Sequence, residues 1–334
     1  MASVMGNTQG LSRGLGYLMM FGLSSSTHVR QRVVAAAVAI GLVLSAFALI
    51  PARAAANTWS SGTSMAVARA YFAAATGSDN RVYAFGGNST TTAPVDYLAT
   101  VAVQSTAGTW STAAPMSVPR SDLAASRLLD GRIVVLGGVN GTSGIQSAVE
   151  TYTPSSNSWL ADTSLPAPTT DLGAATGRDG KIYAVGGFAG GTSYLNTTAV
   201  YTPAAAPASG SWTTSPSTLA VGRSSLAVTT DQQGRIWAIG GRNIGGVTGA
   251  VEMFDPANPG LGWVTKASLL TARADLGAAT GPDGIIYAIG GVNGAGAAVN
   301  TVEAIDPALG GATWSTKANL LSSRGGLAVT LGPD

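Results

Sequence analysis

The stretch DLGAATGRDGKIYAVGG, from Asp171 to Gly187, returns as DLGAATGPDGIIYAIGG from Asp275 to Gly291. A near-verbatim self-match at fixed spacing marks a repeat architecture, in which each unit buries its apolar face only against its neighbours. The double glycine gives the period: Gly86-Gly87, Gly137-Gly138, Gly186-Gly187, Gly240-Gly241 and Gly290-Gly291 follow one another at steps of 51, 49, 54 and 50 residues. Seventeen residues before each doublet stands Arg69, Arg120, Thr169, Arg223 or Arg273, and Arg324 opens a sixth copy.

Within one copy a short small-residue run leads to a turn and then to a β-branched and aromatic run that ends in the doublet, which predicts a hairpin. The turns are Asp79-Asn80, Asp130-Gly131, Asp179-Gly180, Gln233-Gly234 and Asp283-Gly284, where Asn and Gly tolerate positive φ. A third run follows, such as VETYTP at Val149 or VEMFDP at Val251, and then Trp110, Trp159, Trp212, Trp263 or Trp314 opens a fourth. Only 10% of the residues are charged and 45 are glycine, which suits short strands and tight turns. Four antiparallel strands per fifty residues is the blade of a β-propeller.

These residues resemble the kelch repeat family, whose pattern runs from a start Arg through an apolar aromatic run into Gly-Gly, then a Tyr before an Asp-Pro-like turn, then a Trp. Five copies match between Arg69 and about Leu321. Departures are Thr169 for Arg, Val134 where Tyr83, Tyr183, Trp237 and Tyr287 stand, and Val103 and Ile305 where Tyr152 and Tyr201 stand. The expected fold is an all-β, kelch-type β-propeller of five complete four-stranded blades, at about 69–119, 120–168, 169–222, 223–272 and 273–323. A partial sixth is expected from 324–334 with 57–65. Each repeat Trp and Tyr is expected to pack between blades. The doublet should serve where a side chain would collide with the neighbouring blade.

The resemblance to copper oxidases of the galactose oxidase type is distant, because their copper ligands are absent. The chain has no cysteine, and its one histidine, His28, precedes the apolar N-terminal run. Zinc sites of the ordinary kind also need imidazole or thiolate, so no metal or cofactor is expected. The three glutamates, Glu150, Glu252 and Glu303, share one place in the third strand and read as cross-strand or surface partners. No unique carboxylate pair presents itself for glycosidase chemistry.

The start of strand one and the end of strand two share the hairpin end opposite the turn. One face of the ring therefore collects Arg69, Tyr71, Arg120, Asp122, Asp171, Arg223, Ser225, Arg273, Asp275 and Arg324. The residues after the doublets, Asn88, Asn140, Arg242, Asn243 and Asn293, join them. The resemblance implies that this rim carries partner binding. The alternative for each start Arg is a hydrogen bond to loop carbonyls of the neighbouring blade. The reading is an exported binding module for a glycan or an extracellular protein. Its alternatives are a metal-independent carbohydrate-active enzyme using channel Asp and Arg residues, and a structural surface protein.

Export rests on residues 1–54. Arg30 and Arg32 precede the apolar run Val33 to Ile50, and ARA or AAA near Ala54 supplies a cleavage site, which reads as a signal peptide. An uncleaved membrane anchor is the alternative, since eighteen apolar residues can span a bilayer. All four arginines of that segment count toward the formal charge of +2; without them 14 basic residues face 16 acidic ones. No basic patch for nucleic acid remains. Finally, Asp334 stands ten residues after Arg324, where other copies place the turn, and Trp59 stands ten before Arg69. The expectation is a C-terminally truncated propeller of at least six blades with an open seam, against a five-blade ring with frayed ends.

Overall fold

The computed structural model of the chain describes residues 58–89, 97–309 and 311–332. The expected signal segment and Asp334 lie outside these residues. No helix among the described residues is long and apolar enough to cross a membrane.

Five antiparallel four-stranded sheets follow one another along the chain. The first consists of Ala73–Thr76, Val82–Phe85, Val101–Gln104 and Trp110–Ala113, the second of Ala124–Arg127, Ile133–Leu136, Val149–Thr153 and Ser158–Ala161. The third is Gly173–Thr176, Ile182–Val185, Thr198–Thr202 and Ser211–Thr214, the fourth Ala227–Thr230, Ile236–Ile239, Val251–Phe254 and Trp263–Lys266. The fifth is Gly277–Thr280, Ile286–Ile289, Val302–Ile305 and Ser315–Lys317. Each sheet is a simple meander, and the first strands of successive sheets touch. This is the five-bladed propeller that the repeat predicts.

Composition follows distance from the axis. First strands read mostly Ala, Gly, Ser and Thr, with Val228 and Arg127 the exceptions, because neighbouring blades converge there: a Cβ on Gly173 would lie 2.2 Å from Val228 Cγ2. Second strands are covered on both faces, and Ile133–Leu136, Ile182–Val185, Ile236–Ile239 and Ile286–Ile289 are buried throughout. Large rings fill the widening space farther out. Phe85 of the first sheet meets Tyr152 and Trp159 of the second at centroid distances of 6.1 and 5.8 Å. The indole N–H groups of Trp159, Trp212 and Trp314 each donate at 2.8 Å to a carbonyl following the preceding sheet, on Ala114, Thr163 and Ala267.

Both glycines of the doublet are needed, for different neighbours. A Cβ on the first would lie 2.5 Å from the carbonyl of the next start residue, Arg120, Thr169, Arg223 or Arg273. A Cβ on the second would lie 2.5 to 2.9 Å from a carbonyl of its own blade, on Ala70, Ser121, Thr170, Ser224 or Ala274. Both positions also hold positive φ, which disfavours any side chain. The second glycine's amide then donates to the next start residue, as in Gly87 to Arg120 at 3.0 Å and Gly291 to Arg324 at 2.7 Å.

The start arginines lock each blade from inside. Arg120, Arg223 and Arg273 are 0 to 1% exposed. They pair with Glu150 at 2.9 Å, Glu252 at 3.1 Å and Glu303 at 3.0 Å, the three glutamates of the chain. Each also donates to a carbonyl just ahead of its own third strand, on Ala148, Ala250 and Thr301 at 2.7 to 2.8 Å. These bonds stay within one blade, not the neighbouring blade that the sequence alternative supposes. The glutamates also take amides of the connection entering the blade, on Ser117, Ala220 and Leu270. Burial lowers the pKa of all three guanidinium groups, and the glutamates oppose that shift.

Among the described residues no sixth four-stranded sheet forms. Residues 324–331 and the segment around Trp59 carry no strand, so the partial sixth blade is not assembled as a sheet. The last described residues nevertheless pass between the fifth and first sheets. Val329 packs where a Gly277 side chain would point, and Thr76 Oγ1 hydrogen-bonds Thr330 Oγ1 at 3.0 Å. Trp59 donates to Ala318 at 2.8 Å, and Trp110 to Thr63 at 3.0 Å.

Removing one partner of a buried pair strands the other charge. Glu252→Gln is expected to lower unfolding free energy by about 3 kcal/mol in urea melts, whereas Arg223→Met combined with Glu252→Leu recovers at least about half of that loss. Equal damage from the single and double variants would show that the charge pairing is not what the blade depends on.

Candidate functional site

Two residues after each start position the chain adopts the left-handed conformation: Tyr71, Asp122, Asp171, Ser225, Asp275 and Gly326 have φ of 54, 54, 55, 51, 52 and 62°. The cause is a closed circle of main-chain hydrogen bonds. Asp122 donates to Tyr71, Asp171 to Asp122, Ser225 to Asp171, Asp275 to Ser225, Gly326 to Asp275 and Tyr71 to Gly326, all at 2.8 to 3.0 Å. The φ inversion turns each amide toward the previous carbonyl. Gly accepts it freely and Asp more readily than most, while Tyr71 and Ser225 each carry a cost of about 1 kcal/mol. Strained residues of this kind gather where side chains are held for a purpose.

The circle brings five expected rim residues together. Tyr71, Asp171, Ser225, Arg242 and Asp275, with Phe188, Tyr194 and Ser224, line a cavity of about 300 Å3. Tyr71, Asp122, Asp171, Ser225, Asp275 and Gly326 also line a narrower space of about 90 Å3. There they meet an apolar collar formed by the next residue of each blade, Phe72, Leu123, Leu172, Leu226, Leu276 and Leu327.

Charges in this cavity are unequal. Arg242 Nη2 lies 2.8 Å from Asp275 Oδ2. Asp122 instead accepts a hydrogen bond from its neighbour Ser121 at 2.5 Å, and Asp171 one from Ser225 at 3.2 Å. Burial, then the nearby Asp171 and Asp275, push Asp122 up to about 7. Burial and Asp275 also raise Asp171, although Ser225, Arg242 and Thr170 oppose the shift. Burial and the three carboxylates raise the Tyr71 phenol.

The remaining expected site residues lie elsewhere. Arg120, Arg223 and Arg273 are inside the blades and leave the rim. Arg69 is half-buried, and its guanidinium donates to Gly86 at 2.9 Å and Thr100 at 3.0 Å. Asn243 caps its own loop through the amide of Gly245 at 2.8 Å. Asn293 does the same through Ala295 and Ala297 at 3.0 and 3.1 Å. Arg324 is half-buried, and its carbonyl receives Gly291. Sequence reasoning missed Phe188, Tyr194 and Ser224. Phe188 directly follows the third doublet, where the other copies carry Asn88, Val139, Arg242 and Val292, so an aromatic ring there is a departure from the repeat. It bridges Thr170 and Tyr194 and sets its ring 5.3 Å from that of Tyr194.

Comparison agrees with the fold. A kelch motif matches residues 276–321, which bracket the fifth sheet. Among solved structures, the one titled "Structure of YjhT" superposes with a TM-score of 0.63 over 80% of this chain and 89% of that one, at 18% identity. No curated protein matches the chain. The chain is a kelch-type β-propeller with a polar pocket at one mouth of its axis.

Asp122 gives a direct measurement. Its carboxyl carbon is expected to titrate near pH 7 by NMR, and Asp171→Asn should move that midpoint down by removing an adjacent negative charge. The folded state holds this proton after the unfolded chain has released it, so the group's contribution to stability falls as pH rises from the ordinary carboxylate range toward about 7. A midpoint unchanged by Asp171→Asn would break the assignment.

Proposed function

We propose that the protein is a binding module whose ligand enters the axial pocket, and that this ligand is a saccharide unit of a glycan. The observation that carries the reading is the mixture of surfaces in one cavity of about 300 Å3: three aromatic rings, Tyr71, Phe188 and Tyr194, beside Asp171, Ser225, Arg242 and Asp275. A sugar presents apolar C–H faces and a fringe of hydroxyls. Rings match the former, and ionised groups bond the latter more strongly than neutral ones do. The volume falls at the small end of ligand pockets, which suits one or two sugar rings and not a folded partner.

Binding is favoured over catalysis because the carboxylates of the pocket, Asp171 and Asp275, occupy one repeated position and form no pair that the repeat sets apart for acid and base work. Export fits this role, since extracellular glycans would then be within reach. A protein partner is the second reading, and one observation supports it. Val221, Leu270 and Leu321 are exposed shortly before the start positions of adjacent repeats, giving an apolar set on the connections into Arg223, Arg273 and Arg324. Such residues usually mark contact surfaces when they cluster.

A glycan array probed with the purified chain, with hydrolysis assays run in parallel, tests the reading. Phe188→Ala and Tyr194→Ala are each expected to weaken the best array hit by about tenfold while leaving the melting temperature within about 2 °C. Retained binding in both variants would place the ligand outside the axial pocket. Turnover of any bound glycan would replace the module with an enzyme.

A further inference from the structure

We propose that the axial pocket selects a saccharide carrying a protonated free amine. This rests on the saccharide reading and adds the charge of the ligand. The cavity offers Asp171 and Asp275 against a single cation, Arg242. Arg242 is held by Asp275 at 2.8 Å, so that pair is matched. Asp171 is left with hydroxyl partners, and the next carboxylate round the circle, Asp122, likewise accepts from a hydroxyl. The backbone keeps these two acids adjacent: the Asp171 amide donates to the Asp122 carbonyl at 2.9 Å. Their neighbours around the axis are Asp275, Tyr71 and Arg242.

The excess negative charge sits beside aromatic rings, and both features attract the same group. An ammonium is stabilised by the faces of Tyr and Phe rings as well as by carboxylates. A neutral or anionic sugar would use the rings but leave Arg242 as one cation for two partly buried carboxylates, Asp171 and Asp275, a costly imbalance. The proton near Asp122 sharpens the distinction. With its carboxyl poised at about 7, an arriving ammonium favours the ionised form and drives that proton into solvent. Below this value Asp122, which lines the adjoining narrower space beside Asp171, holds its proton, and the circle next to the cavity loses one negative charge. Affinity for an amine sugar therefore falls with acidification, whereas affinity for a neutral sugar does not follow Asp122.

Titration calorimetry on the full chain decides, with D-glucosamine, D-glucose, N-acetyl-D-glucosamine and n-butylammonium as probes. At about pH 7, glucosamine is expected to bind at least about tenfold more tightly than the two neutral sugars. It should weaken several-fold at about pH 5.5, and buffers of different ionisation enthalpy should reveal proton release. Asp171→Asn, which keeps the left-handed backbone accessible, should bring the ratio of glucosamine to glucose below about threefold. Equal binding of glucosamine and the neutral sugars overturns the amine inference and leaves the saccharide reading intact. Butylammonium matching glucosamine while the neutral sugars stay silent overturns the saccharide reading. Silence of all four probes overturns both.

Discussion

The circle of six main-chain hydrogen bonds around the axis is the constraint on which the rest depends. It requires one left-handed residue per repeat at a fixed place, two positions after each start residue. That requirement sets where the first strand begins and how close neighbouring first strands lie. Their closeness in turn demands Gly, Ala, Ser and Thr near the axis. It also brings the next blade's start carbonyl so near the end of strand two that only glycine fits there. Buried Arg–Glu pairs then hold the third strand of three blades to the entry of the first. The doublet and the start arginine are thus two consequences of one geometry.

Most of the fold was legible in the sequence, because repeated units need repeated packing pieces. The doublets, the hairpin turns and the tryptophans each name a contact that recurs in space. What the sequence concealed was which partner a charge takes. Glutamates occur in the third strand of the second, fourth and fifth sheets, and these are the sheets whose start arginines are buried. The third sheet has Thr169 with Ala199 opposite Ala184, lacking both members of the pair. The first has Arg69 with Ala102 opposite Ala84, lacking the acid, and Arg69 is half-buried. That co-occurrence lay in the letters, but each residue read alone resembled a rim group. Similarly, the fourth turn reads as Gln233-Gly234, yet the side chain that locks it is Asp231, which takes the Trp237 indole at 2.8 Å. In the first and third sheets the lock is a tyrosine on Asp79 or Asp179. A larger ring reaches farther, so the acid moves two residues back.

The pocket was only partly legible for a different reason. Tyr71, Asp122, Asp171 and Asp275 share one register and could be gathered by counting. Phe188 sits at a countable place directly after its doublet but lacks the polar group by which rim residues are gathered, and Tyr194 comes from a loop whose length varies between copies, where counting fails. Their value lies in departing from the repeat, and chemistry in a symmetric scaffold has to come from such departures. Asp122 shows the same point electrostatically: one carboxylate among six equivalent positions is ordinary, whereas burial together with Asp171 and Asp275 on the same short circle raises Asp122.

Because the circle is made entirely of backbone atoms, the five side chains it carries, Gly326 having none, take no part in its hydrogen bonds. The scaffold asks only that each residue tolerate a left-handed backbone, and Tyr, Asp, Ser and Gly all do so here. The axis therefore behaves as a six-letter word written on an unchanging page. One codon change rewrites one letter, two neighbouring changes rewrite a charge pair, and no blade need be rebuilt. The chemistry of the axis can drift or be redesigned on this fold far faster than the fold itself can change.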